Sequence, residues 1–183
     1  MPTKLDQIKQ ILTASLQVQQ QILADADLLA TIAKVGDELV RAFHQDHKVL
    51  LCGNGGSAAD AQHLATELSG RFYLDRAPLF AEALHVNTSY LTAVANDYSF
   101  AQVYSRLVQA KGRPGDVLIA ISTSGNSVNV VEALKNATAI GMTTVGLTGR
   151  SGGQIQRHCR YLIAVPSTDT PKIQEAHIII GHI

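Results

Sequence analysis

Val49-Leu50-Leu51-Cys52, Gly53-Asn54-Gly55-Gly56-Ser57 and Ala58-Ala59-Asp60-Ala61-Gln62-His63-Leu64-Ala65-Thr66-Glu67-Leu68 follow one another without interruption. An apolar run of strand length meets a glycine-rich turn and passes into an alanine-rich, helix-forming segment. Glycine has no Cβ, so the backbone turns sharply there and comes close to a ligand. A helix that starts at such a loop aims its N–H groups and positive dipole end at it, which suits an anion. His63 and Glu67 stand at i and i+4, on one face of that helix. An anion cradle and two titratable groups thus share one short element, which predicts an α/β fold with its chemistry at this place.

Similar units flank the stretch. Ala81-Glu82-Ala83-Leu84-His85 reads as a short strand, followed by a helix ending near Ala95 and then by Asn96-Asp97. Asp116-Val117-Leu118-Ile119-Ala120-Ile121 is nearly all apolar, as a strand covered on both faces requires. It runs into Ser122-Thr123-Ser124-Gly125-Asn126-Ser127 and a helix through Val130, Val131, Leu134 and Ala137, which Gly141 ends. Thr143–Leu147 and Tyr161–Val165 are two further strands. Thr170 reads as an N-cap with Pro171 at the first position of a last helix. Before all of these, Leu5, Ile8, Leu12 and Leu16, and then Leu28, Ile32, Val35, Leu39 and Phe43, recur at helical spacing, with Asp25 and Asp27 between the runs. The expectation is a single domain over 1–183. In it a helical hairpin (1–46) serves packing and self-association and precedes an α/β core (47–183).

Strands alternating with helices imply a parallel sheet, and ligands of such sheets bind beyond the carboxyl ends of the strands. Gly53–Ser57 and Ser122–Ser127 both fall there. The second loop offers hydroxyls and backbone N–H groups without lysine or arginine, and suits a small phosphate monoester held by directed hydrogen bonds. Gly53, Gly55 and Ala58 match the loose dinucleotide pattern G-x-G-x-x-A, but Asp75 lies in a loop instead of ending a second strand, which disfavours a dinucleotide.

Hydrophobic residues make up 46% and charged residues 16% of the 183, the balance of a globular protein. Fifteen basic residues offset fifteen acidic ones, which argues against a nucleic-acid partner. No apolar run approaches the roughly 18 residues of a membrane span, and Met1–Gln7 lacks the apolar core of a signal peptide. Cys52 and Cys159 are too few for a disulfide framework and read as buried thiols of a cytoplasmic protein.

Taken together, Cys52–Ser57, Ala61–His63 through Glu67-Leu68, Ala95–Asp97, Gly115–Leu118, Ser122–Ser127 and Ile173–His177 resemble the phosphoheptose isomerase branch of the sugar-isomerase (SIS) domain proteins. The likeness runs over nearly the whole chain, in order. It implies a three-layer α/β sandwich with a five-stranded parallel sheet, assembled as a homotetramer with active sites between subunits. It also implies isomerisation of sedoheptulose 7-phosphate to D-glycero-D-manno-heptose 7-phosphate, the entry to nucleotide-activated heptose. By the same resemblance His63, Glu67, Gln174 and His182 are zinc ligands. Asn54, Gly55, Gly56, Glu67, Asn96, Asp97, Ser122, Thr123, Ser124, Ser127 and Gln174 contact substrate.

Glu67 is then the candidate for proton removal at carbon and His182 its partner acid/base, with the roles interchangeable. Spacing alone is a weak metal signal: Gln174 and His182 share a helix face but stand roughly 12 Å apart along it. Their side chains must lean together or come from different subunits. A non-catalytic relative, the DnaA-binding replication initiator-associating protein, shares both polar loops, so a binding module is the alternative. Members of that group look to lack the residues matched by Glu67 and His182, which this chain has. Two departures are visible. Pro171 stands where some isomerases carry an aspartate, and the family continues its last helix beyond the position of Ile183.

Overall fold

The computed structural model describes residues 2–183. Thr3 and Asp6 form a reciprocal capping box at the head of α1 (Lys4–Ala24). Asp25 ends that helix and begins α2 (Ala26–His44), its Oδ1 accepting the Leu28 N–H at 2.9 Å. The core then runs β1 (Val49–Gly53), α3 (Gly56–Ser69), β2 (Ala81–Ala83), α4 (Thr88–Asp97), a 3-10 turn and α5 (Val103–Lys111). It continues through β3 (Val117–Ile121), α6 (Val128–Ile140), β4 (Thr143–Gly149), a second 3-10 turn, β5 (Tyr161–Val165) and α7 (Thr170–Gly181).

All five strands pair in parallel, in the order β2-β1-β3-β4-β5. Successive side chains of a strand point to opposite faces. Leu51, Ile119, Val145, Leu147 and Ile163 therefore pack with α1, α2, α3 and α7 on one side. Leu50, Cys52, Leu118 and Ala120 pack with α4, α5 and α6 on the other. This is the expected three-layer sandwich. β1 and β3 are buried along their whole length, which accounts for their unbroken apolar sequence. Gly141 closes α6 in the left-handed conformation at φ 90°.

Some boundaries differ from those the sequence suggests. β2 stops at Ala83, after which Leu84 still donates its N–H to the Leu51 carbonyl. α4 runs through Asn96 and Asp97 and does not end before them. α7 is capped by Asp169, whose carbonyl takes the first helical hydrogen bond, so Pro171 is its second residue. Cys52 is buried as expected, and Cys159 only in part. α1 buries just Val18 and Ile22, and leaves Leu5, Ile8, Leu12, Leu16 and Leu23 each more than half exposed. Among the described residues no helix is long and apolar enough to cross a membrane.

Candidate functional site

The chain passes from β1 out to β2, then returns to place β3 on the other side of β1. The connections after β1 and β3 thus diverge, and the crevice between them is where open α/β sheets take ligands. The two polar loops of the sequence line it. In the first, Ser57 and Ala58 donate their N–H groups to the carbonyls of Asn54 and Gly55, and no side chain caps α3. In the second, the Ser122 and Ser127 hydroxyls lie 3.1 Å apart, while Ser124 Oγ accepts the Asn126 N–H at 3.2 Å. Ser122 is buried, Thr123 and Ser127 are half-buried and Ser124 is exposed. The head of α6 behind them has no side-chain cap, so hydroxyls and helix N–H groups form a neutral anion cradle.

Behind the first loop the Tyr104 hydroxyl donates to the Gly53 carbonyl at 2.5 Å. The amides of Asn54 and Asn129 pair with each other, both hydrogen bonds 2.9 Å long. Neither Tyr104 nor Asn129 stands out in the sequence, because their partners are 51 and 75 residues away. Asn96 and Asp97, exposed on the last turn of α4, are hydrogen-bonded to each other at 2.9 Å and to neither loop.

α3 and α7 run side by side in the same direction. Gln174, the fifth residue of α7, presses its amide against Gly56, where an added Cβ would come within 2.9 Å of Cδ. Toward the other end Gly181 packs on Leu64, and His182 Nε2 meets His63 Nε2 at 3.1 Å. His63 Nε2 is also 3.3 Å from Glu67 Oε1, and the Phe72 ring stacks on His182 with centroids 5.2 Å apart. Two Nε2 atoms at that distance share a proton or a cation. One turn before His63, burial raises the Asp60 carboxyl above the usual carboxylate range, and its Oδ2 has no partner.

The structure therefore unites His63, Glu67 and His182 and leaves Gln174 with the loops. Glu67 lies eleven residues beyond Gly56, about 16 Å along the helix. The loop and the acid–base pair that share α3 in sequence stand at its two ends in space. The row borders a mostly apolar cavity of about 570 Å³ that has Leu51, Phe43, Leu147 and Ile180 in its walls and Glu67 and His182 at its edge. A shallower depression of about 450 Å³ is walled by α3 alone, through Ala59, Gln62, His63, Thr66 and Glu67.

Zinc bonds of about 2.0–2.2 Å in tetrahedral geometry hold ligand atoms about 3.3–3.5 Å apart. Two imidazoles and a carboxylate are donors that zinc accepts; the 3.3 Å between His63 and Glu67 matches that spacing and the 3.1 Å between the imidazoles falls short of it. Gln174 of the same chain does not join them. Among the described residues no three or more His, Cys, Asp or Glu close around a common point.

Between these ends His177 is fully buried, its Nε2–H donating to the Thr148 carbonyl at 3.2 Å. Burial pulls its ring down to about 4, so it is neutral.

A model of the SIS domain family matches residues 8–149. The phosphoheptose isomerase of Burkholderia pseudomallei is 54% identical over 167 residues, covering 91% of this chain and 85% of that protein. The phosphoheptose isomerase of Aneurinibacillus thermoaerophilus is 50% identical over 178 residues, covering 97% and 90%. The structure of the Neisseria gonorrhoeae phosphoheptose isomerase superposes with a TM-score of 0.92 at 42% identity, covering 98% of this chain and 95% of that one.

Proposed function

The chain belongs to the SIS domain family, and on that premise we propose that it is a phosphoheptose isomerase that converts sedoheptulose 7-phosphate to D-glycero-D-manno-heptose 7-phosphate. The observation that carries this over a binding module is the contact row Glu67–His63–His182. A protein that only holds a sugar phosphate needs the cradle; moving a proton between adjacent carbons also needs an acid and a base. The likeness to proteins named phosphoheptose isomerase over nearly the whole chain points the same way.

Ser122, Thr123, Ser124 and Ser127 hold the phosphate of the open-chain ketose, so binding remote from the reacting carbons places them. Asn54, Gly55, Gly56, Asn96, Asp97 and Gln174 line the sugar. Glu67 takes the proton from the hydroxymethyl carbon next to the carbonyl, giving the enediol, and returns it to the neighbouring carbon. His182 moves the hydroxyl proton between the two oxygens. His63, Glu67, His182 and Gln174 would hold zinc, which when bound supplies Lewis-acid polarisation of the substrate carbonyl.

About 16 Å of helix separates Gly56, beside the first loop, from Glu67. The reading is that one copy's loops are served by another copy's acid–base row, with Gln174 joining the other ligands across the same boundary. A homotetramer with sites between subunits supplies this, and the exposed apolar row of α1 is a surface that needs a partner. A cytoplasmic location, with no nucleic-acid or membrane partner, belongs to the same proposal.

The test is incubation of purified protein with sedoheptulose 7-phosphate, with and without chelator, followed by NMR. Conversion to the aldose that chelator abolishes and zinc restores is expected. No conversion by the assembled protein sinks the isomerase and leaves the binding module.

A further inference from the structure

At the crevice between β1 and β3 the two walls are joined by one pair of side chains. Asn54 is the first residue beyond β1, and Asn129 is the second residue of α6. Asn54 Nδ2 donates to Asn129 Oδ1 and Asn129 Nδ2 donates to Asn54 Oδ1, each at 2.9 Å. This closed ring uses one N–H and one carbonyl lone pair from each amide. Turning either amide over would set N–H against N–H and oxygen against oxygen.

The ring is given a sense by the Val130 N–H, which Asn129 Oδ1 accepts at 3.0 Å and shares with the Ser127 carbonyl. This shared backbone donor favours oxygen at that position of Asn129, and Asn129 passes the same preference to Asn54 across 75 residues of sequence. The backbone beneath Asn54 is held as well, since Tyr104 donates its hydroxyl to the Gly53 carbonyl at 2.5 Å and stands 3.4 Å from Asn54 Oδ1. Asn129 is 3% exposed and Tyr104 2%, so neither reaches a ligand in the crevice. Asn54 is half-buried and keeps one amide hydrogen, the one trans to its own oxygen, directed away from the pair.

We infer that Asn129 and Tyr104 are positioning residues: they lock the amide of Asn54 and fix the first substrate loop against the phosphate-binding head of α6. The inference rests on the isomerase reading and on Asn54 touching substrate. Asn129 lies two residues from Ser127, so the pair also sets the spacing between phosphate and sugar contacts. A donor held in place before binding needs no ordering in the transition state.

A double-mutant cycle tests this. The kcat and KM of the full-length enzyme are measured for wild type, Asn129→Ala, Asn54→Ala and the double variant. Asn129→Ala is expected to lower kcat/KM about 10- to 100-fold, the scale of a lost buried hydrogen-bonded pair. In the Asn54→Ala background the same change is expected to cost less than about 3-fold, because nothing remains to be positioned. An equal loss in both backgrounds, or no loss, overturns the inference; a residue that only supports the fold gives equal losses. If Asn129→Ala does not fold, Asn129→Ser repeats the cycle, a small polar side chain that leaves the head of α6 neutral. A Tyr104→Phe loss that also vanishes in the Asn54→Ala background is expected, and one that persists removes Tyr104 from the assignment. Wild type without turnover overturns the isomerase reading and this inference with it. In that event a cycle on urea midpoints still reports whether the two amides are coupled.

Discussion

The two ends of the α3–α7 pair are built differently. At the head, everything is neutral and mutually tied: hydroxyls, helix N–H groups, Gln174 against Gly56 and the Asn54–Asn129 ring. At the far end three titratable side chains meet in a half-exposed row, with a surface depression walled by one helix and nothing opposite. A phosphate needs many directed donors, which one fold can fix in advance. Acid–base groups need access and a second set of contacts, which on this chain face outward. On the proposed function, one end is a finished cradle and the other is half of a site.

Breaking the far end has the largest expected effect. Glu67→Gln should lower kcat about 10³-fold while leaving fold and assembly intact, by kinetics and light scattering. Mixing Glu67→Gln subunits with Asn54→Ala subunits should restore part of the activity if the two ends serve each other across a boundary. Mixtures as inactive as their components would place both ends in one subunit's site. Next, Leu12→Asp with Leu16→Asp should convert the assembly to smaller species and lower activity about 10²-fold. Both positions are exposed, so the thermal midpoint of the separated chain should hold.

Acid should loosen both ends together through the middle of α7. His177 titrates near 4 when folded and near 6.5 when unfolded. Its contribution is fully present above pH 6.5 and is lost as the pH falls from 6.5 toward 4, up to about 3 kcal/mol. Urea midpoints at pH 7.5 and pH 5 should differ accordingly, and His177→Gln should flatten the difference. The smallest effect belongs to the head. Gly56→Ala displaces the flexible Gln174 amide, so KM should rise a few-fold with less than about 1 kcal/mol of stability lost.

The layers were legible because buried parallel strands must be apolar throughout. Val49–Cys52 and Val117–Ile121 announce themselves in this way, the partly buried edge strand Tyr161–Val165 is apolar as well, and the glycine at 141 marks a helix end. α5 carried no such mark. It mixes Val103, Tyr104, Leu107 and Val108 with polar residues, and tertiary packing on α6 outweighs that weak pattern. The candidate site was legible where chemistry is local: the loops, and His63 with Glu67 at helical spacing. The meeting of His182 with His63, 119 residues apart, depends on the register of α7 against α3. No local pattern carries that register; Gly181 against Leu64 and Gln174 against Gly56 do. Asn129 looked like any polar residue in a first helical turn.

The strand order has a consequence for how the molecule is made. β3, β4 and β5 pair with their neighbours in sequence, so residues 117–165 can zip up locally. The central pairing of β1 with β3 joins Val49 to Val117 and must wait until the 67 intervening residues are brought round. The crevice opens at that seam, so on this topology it is among the last features to form during refolding. A chain stalled with its carboxyl half already folded would display the Ser122–Ser127 cradle without the Asn54 loop. On the proposed function, such a chain would bind phosphate weakly before it could handle a sugar.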